Sequence, residues 1–287
     1  MNLHFEQTAP CAQAPRPLKP FDRWLSLEGE EMSLFYRESD QYVVRFPDRA
    51  DFIISLNRQT VTCTPSPGIP DNEIEVLYFN QIIPLVMGCN GDLVLHASAV
   101  VIDGRAIAFL GPTRRGKSTL AAAFAKAGHA FLTDDGLILD RDDEDYLVRP
   151  RAPSLRLCSD SEAAILQTME VRPGGSHVKG RIVAGDEIRF HGKPVPLAAI
   201  YLLPEPQQPD RTEIVRLSRP VALSELLKHS FILDVEDRKR VKDLFYRLAS
   251  VVKRIDCFAL DYPRRYPELP GVIDSLIKHV RRGDQAS

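Results

Sequence analysis

The chain reads as α/β. Three observations predict this class. The first third is a run of short β-branched and aromatic segments. A basic, glycine-containing loop joins an apolar run to an Ala-rich one at 109–124. The last quarter carries long amphipathic periods. The expectation is a mixed sheet with a β-rich N-terminal third and C-terminal helices. The 287 residues suffice for one large domain or two modest ones.

Residues 8–20, TAPCAQAPRPLKP, are rich in Pro and Ala, and residues 1–20 are expected to form a mobile arm. MSLFYRE, YVVRF, DFIISL and TVTCT follow, broken by turn residues. They predict a small antiparallel meander within a β-rich region, 21–90, packed on the core. DNEIEVLYFNQIIPLVMG (71–88) starts on an Asp cap and keeps helical apolar spacing, with Pro84 expected to kink or end it.

DLVLHASAVVIDGRAIAFLG (92–111) is two apolar runs joined by Asp103-Gly104, a hairpin signal. KSTLAAAFAKAG is a short helix with Gly128 just past its end. HAFLTDDGLILD is a strand interrupted by two carboxylates, and the acidic RDDEDY (141–146) reads as a solvated hairpin tip. YLVRP, SLRLC, RIVAGDEIRF and PLAAIYLLP are further strand candidates, with a turn at HGKP (191–194). SRPVALSELLKH (218–229), VEDRKRVKDLFYRLASVVKRI (235–255) and the final YPELPGVIDSLIKHVRRG are amphipathic helices.

Composition narrows the function classes. Lys plus Arg is 37 and Asp plus Glu is 39, a net charge of −2, which gives no bulk support to nucleic-acid or membrane binding. The five cysteines (Cys11, Cys63, Cys89, Cys158, Cys257) are scattered and form no CxxC pair. That argues against a disulfide framework or structural zinc, and fits a reducing cytoplasm. The N-terminus shows no basic start followed by an apolar run, and no stretch is long and apolar enough to span a membrane.

Gly111-Pro112-Thr113-Arg114-Arg115-Gly116-Lys117-Ser118 matches G-x-x-x-x-G-K-[ST], between an apolar strand and a helix. In such a loop backbone N–H groups wrap a phosphate chain, and glycine lets the backbone approach. The helix opening at Lys117 aims its positive end at the same anion. Lys117 would reach the terminal phosphates, and Ser118 would hold Mg²⁺, with Thr119 beside it. Three cations at a helix N-terminus oppose the helix dipole unless an anion binds there. Arg114 stands where many such loops have Gly; it either lies over the phosphates or faces solvent.

Asp134 and Asp135 end the run AFLT. Adjacent carboxylates at a strand end suit Mg²⁺ binding and general-base work. Neighbours in a strand point to opposite faces, so both serve one site only if a turn has begun, which Gly136 would allow. The competing reading is an Asx-type turn. His96 interrupts an apolar run, where a histidine is commonly a hydrogen-bonded core residue.

The order of these pieces (a His in an apolar strand, a hairpin into the phosphate loop, then GHAFLTDD after the helix) resembles the catalytic domain of HPr kinase/phosphorylase. That family phosphorylates a serine of the sugar-transport protein HPr, and its fold is related to that of phosphoenolpyruvate carboxykinase. The resemblance covers residues 92–140 and, more loosely, 195–203. It implies a P-loop kinase domain over 91–287 that binds ATP and Mg²⁺ through Gly111–Thr119. Asp134 would be the base toward the serine hydroxyl, Asp135 its partner at the metal with Ser118, and His96 a residue near the phosphates.

The family's glycine-rich signature after the aspartates is not recognisable. RPGGSHVKGR (172–181) lies in that region, with Lys179 or Arg181 as candidates to stabilise the moving phosphoryl group. The first third is unlike the family's usual N-terminal domain. LVLHASAV, GKSTLAAAFAKAGH and PLAAIYLL look similar to the shorter relatives found with bacterial peptide-modification clusters. Those include lasso-peptide tailoring kinases, which phosphorylate the C-terminal serine of a precursor.

The leading expectation is therefore an ATP-dependent kinase acting on a serine hydroxyl of a peptide or small protein, and a homo-oligomer is compatible with the chain. An HPr serine kinase, a nucleotide-gated binding or regulatory protein without phosphotransfer and a small-molecule kinase are the alternatives. An extended peptide acceptor would suit the sheet edges of the first third; equally, those strands complete a core.

Overall fold

The computed structural model describes residues 3–26, 28–143, 145–166, 180–185, 188–207 and 209–284. The chain divides into two compact units. One comprises Met1–Asp92 with Phe231–Asp243, the other Leu93–Ser230 with Leu244–Ser287.

The first unit is built on a six-stranded sheet of β1 (His4–Gln7), β2 (Asp22–Leu25), β3 (Glu31–Glu38), β4 (Gln41–Phe46), β5 (Ala50–Ser55) and β6 (Thr60–Pro65), in the order β1-β6-β5-β4-β3-β2. The meander expected from the sequence is β3 to β6, all antiparallel. Its register places Phe35 opposite Val44, Val44 opposite Phe52 and Phe52 opposite Cys63, a row of fully buried side chains across four strands. One face is thus committed to the core, and that fixes the register.

The arm expected over 1–20 is in part a strand. β1 runs parallel to β6, and the amides of Thr8 and Cys11 continue the pairing to the carbonyls of Cys63 and Pro65. Arg16 then reaches Glu38 and Asp51. β1 is only four residues, HFEQ, held by its pairing to β6 and by Phe5 against Tyr78 at 4.2 Å between ring centroids, partners that a local reading does not show.

The helix expected over 71–88 is α1 (Asp71–Leu77), a π-helical turn at Tyr78–Ile82 and α2 (Ile83–Cys89). Pro84 supplies no N–H, and the ladder absorbs the loss just ahead of it: the Ile83 amide reaches back to the Tyr78 carbonyl. Asp71 is not the cap. Pro70 holds that position, and the Asp71 carboxylate accepts from Gln7.

Phe231–Asp243 joins this unit through Asp234, which is only 3% exposed. Its carboxylate accepts from the Arg37 guanidinium at 2.5–3.0 Å, from the Tyr42 hydroxyl at 2.8 Å and from the amides of Glu236 and Asp237. Burial pushes this carboxyl up, but the hydrogen bonds outweigh it and leave Asp234 below the usual carboxylate value.

The second unit is a mixed sheet with helices on both faces. Its strands are β7 (Leu93–Leu95), β8 (Ala97–Ile102), β9 (Arg105–Leu110), β10 (Phe131–Thr133), β11 (Leu137–Asp142), β12 (Asp145–Arg149), β15 (Val195–Leu202), β16 (Glu213–Arg216) and β17 (Asp256–Asp261), with β13 (Ser154–Leu157) and β14 (Gly180–Val183) forming a separate pair. The helices are α3 (Lys117–Lys126), α4 (Ser159–Leu166), α5 (Arg219–Lys228), the C-terminal part of α6 (Arg238–Arg254) and α7 (Leu269–Asp284).

Alternation along β9 sorts the layers. Ile107 and Phe109 pack with Leu120 and Phe124 of α3 and Leu276 of α7. Ala106 and Ala108 face Leu226 of α5 and Leu248 and Val251 of α6. α3 ends as expected: Gly128 has φ 95°, and the amides of Gly128 and His129 return to Ala125 and Phe124.

Strand directions place the site. β8 pairs antiparallel with both β9 and β10, so those two run the same way; β15 is parallel to β9, and β17 to β15. The C-terminal ends of β10, β9, β15 and β17 therefore lie along one edge, where open α/β sheets form their ligand sites.

The sequence reading made one strand of 92–102. The chain changes partners at His96 instead: β7 pairs with β11, and β8 with β9 and β10. The His96 amide leaves the ladder to bond the His229 carbonyl at 2.7 Å. Among the described residues no helix is long and apolar enough to cross a membrane.

The sole tryptophan, Trp24, packs on Phe35 and Phe231 and so reports on the first unit. Asp234→Ala is expected to lower the stability of that unit by roughly 2 kcal/mol, because it strips charge-assisted hydrogen bonds and two amide caps at once. Urea unfolding followed by Trp24 fluorescence measures this. An unchanged midpoint would show that Asp234 does not anchor the segment.

Candidate functional site

The loop after β9 is built as its sequence demands. Gly111 has φ 151°, and a Cβ there would lie 2.8 Å from the Leu203 carbonyl oxygen. Gly116, the residue before α3, has φ 91°, and a Cβ would meet the Tyr262 hydroxyl at 2.8 Å. The two glycines let the loop press against the ends of β15 and β17 while its amides turn toward the helix N-terminus.

The residues between them take different places. Arg114 adopts φ 65° and is exposed, as is Thr113, so Arg114 holds its glycine-like backbone with the side chain in solvent. Pro112 contributes its carbonyl. Arg115 leans toward Glu205 at 3.5 Å, and its own carbonyl accepts from Arg264 at 2.7 Å.

Lys117 is 5% exposed. Its ammonium donates to the carbonyls of Gly111 at 2.8 Å and Pro112 at 3.1 Å. The cation is thus folded into the mouth of the loop, over the ground a phosphate would occupy. Thr119 points the other way, with its hydroxyl 3.2 Å from Ser161, which in turn meets Tyr266 at 3.0 Å.

The two carboxylates take different partners. Asp134, expected to face an acceptor, is the one that meets the phosphate loop: its Oδ1 accepts from Ser118 at 2.8 Å and from Ser98 at 2.6 Å, and its Oδ2 from the Arg156 amide at 2.9 Å. Asp135, expected beside the metal, is 6% exposed and lies 3.8 Å from the Arg156 guanidinium.

The strand does end in a turn here. The positive φ falls on Asp135 (61°), and the Thr133 hydroxyl closes the bend on the Gly136 carbonyl at 2.7 Å. Burial lowers the neighbouring Arg151 guanidinium below its ordinary value, opposed by Asp135.

His96 lies at the β7–β8 break, bonded through its amide to His229, a residue the sequence did not single out. Burial and the nearby Lys117 push His229 down to about 4, so its imidazole is neutral at neutral pH. Arg264 was also missed. It follows β17, stacks on Tyr262 with its guanidinium 3.9 Å from the ring centroid, and reaches Asp261 at 3.4 Å. The short run DCFALD between two helical periods was the signal that a strand, and so a second loop, ends at this edge. Lys179 lies outside the described residues; Arg181 falls on β14, paired in register with Arg156.

These residues fit a magnesium-bound polyphosphate. Two glycines clear the approach, Lys117 supplies a buried cation, and Ser118 with Asp134 offers an oxygen pair. Among the described residues no three His, Cys, Asp or Glu side chains converge to hold a metal alone. A divalent cation here would draw its remaining oxygens from ligand and water, as Mg²⁺ does at phosphates.

No protein family and no curated protein matches the chain by sequence. Among solved structures it is similar to the HPr(Ser) kinase/phosphatase from Coxiella burnetii, with 14% identity and a TM-score of 0.38 over 67% of this chain and 98% of that one. That likeness assigns neither an activity nor residues.

Two outcomes are expected. Gly116→Ala combines a positive φ with a 2.8 Å approach to Tyr262 and should cost about 1–3 kcal/mol of stability, read by thermal unfolding. His229 is an acid-sensitive group. Its folded pKa lies below its unfolded one, so the unfolded chain binds more protons between about pH 4 and 6.5, and stability falls as pH drops through that window. His229→Gln should flatten that limb of the pH–stability curve, and an unaltered limb would assign the acid sensitivity elsewhere.

Proposed function

We propose that the protein is an ATP-dependent phosphotransferase that moves the γ-phosphoryl group to a hydroxyl, with a serine of a peptide or small protein as acceptor. One observation carries the reading: the Ser118–Asp134 bond joins the phosphate loop to a carboxylate at the end of a strand parallel to β9.

In this reading Gly111–Thr119 binds the phosphates, and Lys117 neutralises charge at the transferred group. Ser118 and Asp134 hold Mg²⁺; when bound, the ion offsets charge on the phosphate oxygens. Asp134 accepts from Ser98, Ser118 and the Arg156 amide, so both of its oxygens are engaged at the loop rather than turned to an acceptor. The roles implied by the resemblance are therefore exchanged at this residue. Asp135 positions Arg156. Phosphoryl transfer through a loose transition state depends more on positioning and charge than on a strong base. His229 borders the lysine as a neutral neighbour.

Asp134→Asn and Lys117→Ala are each expected to lower turnover at least a hundredfold while the circular dichroism spectrum is kept. The assay is phosphate incorporation by mass spectrometry with Mg·ATP. It offers in parallel HPr and a lasso-type precursor peptide ending in serine. Wild-type turnover retained in Asp134→Asn overturns the metal assignment.

The triply bonded Asp134 also favours a second reading, a nucleotide-gated switch without transfer, since that needs a metal carboxylate and no base. Tight Mg·ATP binding with no phosphorylated product from any peptide, protein or small hydroxyl compound would select it.

A further inference from the structure

On the same edge, beyond the phosphate loop, a cleft of about 300 Å³ opens over the ends of β15, β16 and β17. Val215 and Ala259 are direct cross-strand partners and form its apolar floor, with Pro204 beside them. Glu205, Glu213 and Gln207 supply the polar groups, and Asp261 closes the side nearest the loop. Asp261 is already engaged by the amides of Gln207 and Tyr262 and by Arg264.

Resting on the reading that Gly111–Thr119 holds a polyphosphate, we infer that this cleft takes the nucleoside half of the same ligand, an amino-bearing purine nucleoside such as adenosine. The argument is one of direction. The metal corner, Ser118 with Asp134, fixes the reacting end of the phosphate chain on the β10 side of β9. The chain must then leave the loop on the other side, where β15 and β17 lie. Successive strands are spaced about 4.8 Å apart, and the floor of the cleft lies two to three strands from β9, roughly 10–14 Å from the loop, a reach that phosphates and a ribose span.

The two places are physically continuous: Arg115 of the loop touches Glu205, and Arg264 bridges the Arg115 carbonyl to Asp261. Charge selects the occupant. Carboxylates repel phosphate, so no anion rests there, but they accept from ribose hydroxyls and an exocyclic amine. The apolar floor suits the face of a flat base.

The test is equilibrium binding by calorimetry to the full chain, with Mg·ATP, Mg·tripolyphosphate and Mg·UTP as probes. Wild type is compared with Lys117→Ala, Val215→Glu and Val215→Ile; Val215 is 61% exposed, so these changes leave the core intact. The expected result is that ATP binds at least tenfold tighter than tripolyphosphate and tighter than UTP. Val215→Glu should remove that excess without altering tripolyphosphate affinity, and Val215→Ile should keep it. Photolabelling with 8-azido-ATP should mark peptides within 204–215 or 256–261.

Equal affinity for ATP and tripolyphosphate, or a Val215→Glu effect common to both, overturns the cleft assignment and leaves the phosphate loop standing. Labelling confined to other peptides does the same. Failure of every polyphosphate to bind, with Lys117→Ala indistinguishable from wild type, overturns the phosphate loop and the cleft with it.

Discussion

The Asp134 carboxylate ties together three parts of the chain that are far apart in sequence. It takes the Ser98 hydroxyl from β8, the Ser118 hydroxyl from the first turn of α3 and the Arg156 amide from β13. A half-buried carboxylate with donors on both oxygens is held in one orientation. The loop after β9 is therefore fixed at both ends. Gly111 packs against Leu203, Gly116 against Tyr262, and α3 is tethered through Ser118 to the end of β10.

The rest of the second unit serves that arrangement through strand direction. Four strands end along one edge because β8 runs against two of them, while the helices α5 and α6 cover one face and α3 and α7 the other. Small residues on one face of β8 and β9 (Ala97, Ala99, Ala106, Ala108) admit the α5–α6 layer, while Phe109, Phe131 and Tyr201 fill the opposite side. Layer thickness is thus set by side-chain volume and the position of the edge by connectivity.

Much of this was legible locally. Asp103-Gly104 marked its hairpin, Gly128 its helix end, and the spacing from Gly111 to Ser118 its loop, because each of these is a short-range backbone requirement. What stayed hidden depends on partners distant in sequence. β1 is held by β6 and by Tyr78 against Phe5, so four residues read alone announce little. His96 looks like an interruption within one strand and is a change of ladder, visible only once His229 is alongside. Arg264 enters the site through β17, whose six residues sit between two strong helical periods that mask them. The division of work between Asp134 and Asp135 turned on which carboxylate faces Ser118, and adjacent residues at a strand end differ there only by the turn that follows.

The central ladders also carry a consequence for synthesis. β9 pairs with β15, Ile107 lying opposite Ala199, and β15 pairs with β17, Ile200 lying opposite Cys257. These contacts join segments made far apart in time. The first unit waits as well, since Phe231–Asp243 completes it. A nascent chain that has already emerged as far as its phosphate loop has neither unit closed. Its local hairpins can pair at once, but β9 lacks its second neighbour until β15 is made and β15 lacks β17 until the last quarter leaves the ribosome, a topology of late assembly with exposed edges in the interval.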